Sequence, residues 1–211
     1  WEAMHTLASS DVAAPSASCK PFSKNRSGMV LGEGAAIVLL EPMDAALARN
    51  ATIHGELIGY GLTTDSSHIA RPSAQGQACA MRAALQSAGI TADEVDSINA
   101  HGTGTLANDV AETSAIRSVF GDRAGVIPVS ATKAIHGHLL GAAGAIECVL
   151  ALLAMRHRIA LPTMHLEQSD PECDLDYVAK VARPGAAGNV MLSNSFAFGG
   201  TNAVLVLRSS Q

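Results

Sequence analysis

Two rhythms of apolar residues divide this chain. Residues 75–88 and 109–120 repeat apolar side chains every three or four positions, which predicts helices, the first closed by Gly89, the residue type best suited to a left-handed cap. Residues 53–62 alternate, while 95–100, 126–130, 190–195 and 203–207 are short aliphatic runs, and all five are expected as strands. Residues 28–40 read as a strand pair or one bent strand, 44–49 as a short helix, and 9–20 as a loop after a short helical start. Strands and helices alternate, so the pattern predicts a layered α/β fold with helices against a mixed sheet.

One stretch breaks the amphipathic rule. Between Leu139 and Met155 the only charged side chain is Glu147, so this helix is apolar nearly all round and belongs in the middle of something. A membrane span is the competing reading. Glu147 near its centre and His138 at its start favour a buried helix of a soluble protein, and no span is expected.

Composition sharpens that picture. Charged residues make up 16% of the chain against a usual figure of about 25%, too little to wrap a free-standing domain of this size. More protein is expected to cover it, either a missing segment or a partner subunit. The formal charge of -5 and the lack of any Lys/Arg cluster argue against nucleic acid and anionic membrane surfaces as partners. Cys19, Cys79, Cys148 and Cys173 show no paired spacing, which suits a reducing, cytoplasmic setting, and none sits where a nucleophile would.

The unusual residues gather at three strand ends: 99–105, 132–138 and 194–202. In open α/β sheets such loops converge on the ligand crevice, so one shared site is expected. There the imidazoles of His101 and His138 and the ammonium of Lys133 would aim donors at a carbonyl oxygen, which suits chemistry that develops an enolate or oxyanion. Gly102, Gly104, Gly199 and Gly200 allow close backbone approach, a main-chain N–H near Phe198 would complete an oxyanion hole, and Thr103 and Thr105 would hold polar parts of an extended ligand. Singly, His101 also reads as a turn histidine and Lys133 as a solvated strand-end lysine; the joint occurrence favours a site. His136 and His138 as metal ligands would need partners the neighbouring sequence does not supply, and HExxH, CxxC, GxSxG and the Walker lysine pattern are all absent.

In order and spacing, the segments His101–Thr105, Thr132–Glu147 and Asn194–Asn202 resemble the signatures of elongating β-ketoacyl-acyl carrier protein synthases of the KAS I/II type, and Pro21–Arg26 with Gly28–Gly34 is similar to a further family segment. The resemblance implies a thiolase-like layered α/β fold with a mixed sheet. Residues 1–50 would end the N-terminal half of an internally duplicated fold, and 51–211 would form the C-terminal half. It implies an acyltransferase that joins malonyl-acyl carrier protein to an acyl thioester by decarboxylative Claisen condensation, in fatty-acid or polyketide elongation. His101 and His138 would bind the malonyl thioester carbonyl, Lys133 would support them electrostatically, Phe198 would gate the acyl site and lend its N–H to the oxyanion hole, and Thr103 and Thr105 would bind phosphopantetheine. Glu147 would be held by hydrogen bonds or a monovalent cation with Asn99 and Asn194; no other cofactor is implied. The implied partners are acyl carrier protein, the missing N-terminal segment and a second copy in a homodimer.

Departures count too. The family's nucleophilic cysteine should precede Trp1, so this chain alone should condense nothing. Ala197 stands where the family usually has glycine, which would stiffen the gate. His136 is unusual and resembles nodulation-associated synthases. Two rivals remain: a non-catalytic, chain-length-determining partner of a ketosynthase, and a biosynthetic thiolase, which fits less well because thiolases use a second cysteine where this chain shows histidine.

Overall fold

The structure, a computed structural model, describes residues 1–210. After a short helix α1 (Met43–Ala48) the chain runs β1 (Gly55–Thr64), α2 (Ala74–Ala88), β2 (Ser97–Asn99), α3 (Leu106–Phe120), β3 (Val129–Ser130), α4 (Lys133–His136), α5 (Ala143–His157), a hairpin β4 (Ile159–Ala160) and β5 (Arg183–Pro184), then β6 (Val190–Phe196) and β7 (Thr201–Ser209). The main sheet has the order β1-β7-β6-β2-β3, with β1, β7 and β6 antiparallel in turn and β6, β2 and β3 parallel. The expected mixed sheet is therefore present.

Alternation along the strands sends side chains to two different cores. Leu192, Val204 and Val206 pack with Met81, Ala84 and Ile116 beneath α2 and α3, whereas Met191 and Leu207 pack with Cys148, Ala151 and Met155 of α5. The first face is tightly closed. Gly59 and Gly61 let α2 lie directly on β1: a Cβ at Gly61 would stand 2.1 Å from the Ala80 carbonyl oxygen. Ser73 caps α2 by accepting from the Gly76 N–H at 3.1 Å, and Gly89 closes it at φ 66° as its sequence position predicts.

The α5 face departs from expectation. This helix is apolar all round, yet only one side of it is covered, and Leu153 remains 42% exposed. Leu140–His157 is long and apolar enough to cross a membrane by length and composition, but here it lies against β6 and β7. Residues 33–40 form no ladder among the described residues, because an extended segment becomes a strand only beside a partner. Ile37, Leu39 and Leu40 stand exposed at an open groove of about 1070 Å³ between α1, β1 and α5.

The N-terminal segment is bolted to α3 and to the segment between β4 and β5 by buried contacts. The Phe22 N–H donates to Asp109 at 2.7 Å, the Phe22 ring stacks on Tyr177 with centroids 3.9 Å apart, and buried Arg26 pairs with Asp109 and Asp170. Burial pushes the Asp109 carboxyl up to about 6 against the pull of the Phe22 N–H and Arg26.

Candidate active site

Two parallel strands and the turn after each of them build the centre. β2 runs into Ala100 and His101, β3 into Ala131 and Lys133, and the two are in register, Asn99 beside Ser130. Gly102 then turns at φ +41°, where a Cβ would meet Ala131 at 2.6 Å and the Phe22 ring at 3.0 Å. His138 arrives after α4 on a bridge to Leu31: its N–H donates to the Val30 carbonyl at 2.7 Å, and its carbonyl accepts from Gly32 at 3.0 Å.

The expected convergence is met. The rings of His101 and His138 have centroids 5.3 Å apart and planes at 81°. The Lys133 ammonium, fully buried, stands 3.2 Å from His101 Nδ1 and donates to the His101 carbonyl and to Glu147 Oε1, each at 2.5 Å. An ammonium can only donate, so His101 Nδ1 accepts and the neutral ring carries its proton on Nε2. His138 Nδ1 likewise accepts the Leu140 N–H at 3.1 Å, which puts its proton on Nε2 as well. Burial, then the positive charge of Lys133, depresses both imidazoles: His101 well below the usual range, His138 to about 4. The arrangement therefore offers two neutral N–H donors side by side, suited to a developing negative oxygen.

Glu147 pairs with Lys133, and the Asn194 amide donates to Glu112 at 3.1 Å, so no direct hydrogen bond joins Glu147 to Asn99 or Asn194 among the described residues. Glu147 Oε2, Asn194 Oδ1 and Asn99 Nδ2 are each buried without a hydrogen-bond partner. Two unpaired oxygens and an amide that can turn its oxygen inward have the donor chemistry of a monovalent-cation site.

Sequence reasoning missed Glu112. It is fully buried and accepts from the His101 N–H at 2.8 Å, the Gly102 N–H at 2.9 Å and the Asn108 amide at 3.4 Å, so it fixes the backbone that carries the His101 ring. Burial raises its pKa while these donors oppose the rise. Its signal was its helical face, shared with Ala115 and Ile116. Phe196 was missed too; its ring meets His101 edge-on, with centroids 5.9 Å apart.

The remaining expected residues surround this centre. Thr103 and Thr105 share a hydroxyl–hydroxyl bond of 2.8 Å, and Thr105 also caps α3. Phe198 is 39% exposed, its ring 5.5 Å from Trp1, while the flanking N–H groups of Ala197 and Gly199 donate to Thr201 and Ile69. Ala197 adopts φ -109°, which any side chain tolerates, so the left-handed bends fall at Gly199 and Gly200. Burial raises the thiols of Cys19 and Cys173 to about 11, and that of Cys148 upward, which suits none of the three as a nucleophile.

With this geometry in hand, comparison with known proteins is informative. Residues 1–46 match the model of the beta-ketoacyl synthase N-terminal domain and residues 54–167 that of the C-terminal domain. Nodulation protein E of Rhizobium meliloti is 47% identical over 99% of this chain and 50% of its own length. The 3-oxoacyl-[acyl-carrier-protein] synthase 2 of Coxiella burnetii is 50% identical over 92% of this chain and 47% of its own length. The chain thus spans about half the length of the curated relatives it matches. Among solved structures, the ishigamide ketosynthase/chain length factor superposes on all of this chain and 50% of its own with TM-score 0.92 at 41% identity, which gives the layered sheet the thiolase-like fold of ketosynthases. Sheet order, paired imidazoles and sequence relatives agree, and the chain belongs to the beta-ketoacyl synthase family.

Proposed function

We propose that this chain carries the His/His/Lys half of a condensing site that elongates fatty-acid or polyketide chains. The adjacency of His101 and His138, with Lys133 directly behind, carries the reading. In the reaction, the bond between the malonyl carboxylate and Cα breaks and carbon dioxide leaves. The electron pair passes through Cα to the thioester oxygen, and the Nε2–H groups of His101 and His138 stabilise the resulting enolate. The enolate carbon then attacks an acyl thioester, forming a carbon–carbon bond and expelling thiolate. Lys133 keeps the His101 Nδ1 bare, so the Nε2 proton faces the substrate.

The acyl-bearing cysteine belongs to an upstream segment, in keeping with relatives twice this length and the poor thiols here. On this reading residues 1–50 finish the first half of the fold and 51–211 form the second. The upstream segment also fills the groove beside α5. Phe198 gates the acyl site and contributes its N–H, and Thr103 and Thr105 bind the phosphopantetheine arm of acyl carrier protein. Asn99, Glu147 and Asn194 would hold a monovalent cation, which supplies positive charge beside the Lys133–Glu147 pair; their unpaired buried atoms support this. The assembled enzyme is a cytoplasmic homodimer.

Replacing His138 with Ala in the full-length protein is expected to slow malonyl decarboxylation by about 100-fold or more. Full activity in that variant would remove His138 from the mechanism. A second reading, a non-catalytic chain-length-determining partner, is favoured by the likeness to the ketosynthase/chain length factor structure. The residue at the upstream strand-to-helix elbow separates the two: cysteine for the enzyme, another residue for the partner.

A further inference from the structure

His136 lies outside the condensing site, yet its ring is tied at both nitrogens. Nδ1 stands 2.7 Å from the Gly137 carbonyl oxygen and Nε2 stands 3.1 Å from the Thr132 hydroxyl. A carbonyl only accepts, so Nδ1 bears the proton and Nε2 receives the Thr132 O–H. The ring therefore links the residue before α4 to the residue after it.

Within its own segment that helix has little else to define it. α4 is four residues long, and Thr132 makes no side-chain cap to it; the Ile135 N–H reaches Thr132 at 2.8 Å and the Gly137 N–H reaches Lys133 at 2.8 Å. A single turn is not stable by itself. Lys133 opens this turn and His138 follows its end, so the turn sets the distance from the ammonium to the second imidazole. The neighbouring segment holds the His138 backbone from the other side, with Gly32 so close that a Cβ there would stand 2.1 Å from the His136 carbonyl oxygen, and the ring adds a tie from within the turn. The Thr132 hydroxyl also lies 3.5 Å from Asn99 Oδ1, and its single proton serves the closer His136 Nε2 at 3.1 Å.

We propose that His136 is a positioning residue, whose neutral ring staples the α4 turn and thereby holds His138 and Lys133 at working separation. This rests on the condensing-site reading above. Nitrogen NMR of the full-length protein, labelled at histidine, tests the staple directly. At neutral pH the expected His136 tautomer has the proton on Nδ1, and an Nε2–H tautomer would overturn the proposal.

Kinetics test the consequence with malonyl-coenzyme A as substrate. His136→Leu should lower kcat for decarboxylation about tenfold while leaving KM within about twofold. His136→Asn, whose amide restores a donor to the Gly137 carbonyl, should recover most of that loss. An unchanged kcat in His136→Leu, or an Asn variant no better than Leu, overturns the staple. If the unsubstituted protein fails to decarboxylate, the condensing reading falls and the tautomer still decides the role of His136.

Discussion

The two faces of the sheet end in different states, although α5, on the less covered face, is the more apolar helix. Beneath α2 and α3 the large side chains form one continuous core, glycines bring helix and strand together, and the buried carboxylates are supplied with donors. Beneath α5 the core is small, the groove stays open, and Leu153, Leu39 and Ile37 face outward. A surface of that character suits contact with further protein, as the proposed upstream segment would supply. The contrast teaches that apolar residues report the finished assembly, whereas one chain's own packing reports only what it can complete alone.

The sharpest way to break the comparison is to damage the closed face at its polar anchor. Glu112→Ala strands the buried N–H groups of His101 and Gly102 and is expected to cost about 3–5 kcal/mol, read as a lower urea midpoint or as loss of soluble protein. Next in size is a matched pair of truncations. Met81→Ala on the closed face should cost about 3 kcal/mol, whereas Leu153→Ala on the open face should stay within about 0.5 kcal/mol in this chain and rise toward the Met81 value once the upstream half is joined.

The third test concerns pH. His138 titrates near 4 when folded and near its ordinary 6.5 when unfolded, so the unfolded chain takes up the proton first as pH falls. Stability present above 6.5 is therefore lost between about 6.5 and 4. His138→Asn removes that loss and should gain about 1 kcal/mol on the unsubstituted protein between pH 7 and pH 4.5, after allowance for the ring's partial exposure. The smallest effect compares helix starts: Ser73→Ala should cost α2 about 1 kcal/mol, while Ala142→Ser before α5, where no side-chain cap exists, should change stability by less than about 0.5 kcal/mol.

Much of this was legible in the sequence where a residue's role depends on local pattern. α2 announced itself by period and by Gly89, and the three loops stood out because polar and glycine residues interrupt aliphatic runs. Roles created by distant partners were not legible. Glu112 looks like any charge on an amphipathic helix, since its partners are backbone N–H groups that no letter of sequence displays. The pairing of Glu147 with Lys133 rather than with Asn194 depends on how α5 crosses β6. α4 is shorter than any period can reveal, and residues 33–40 carry strand-forming side chains without a strand to join.

The bridge between Leu31 and His138 has one more consequence. The second imidazole is carried on a segment whose backbone is half owned by a stretch far away in the chain, with Gly32 fitted against it without room for a methyl group. Evolution cannot retune that ring from its own loop alone. A lineage that shifts it must rewrite both stretches in step, so the two should drift as a linked pair.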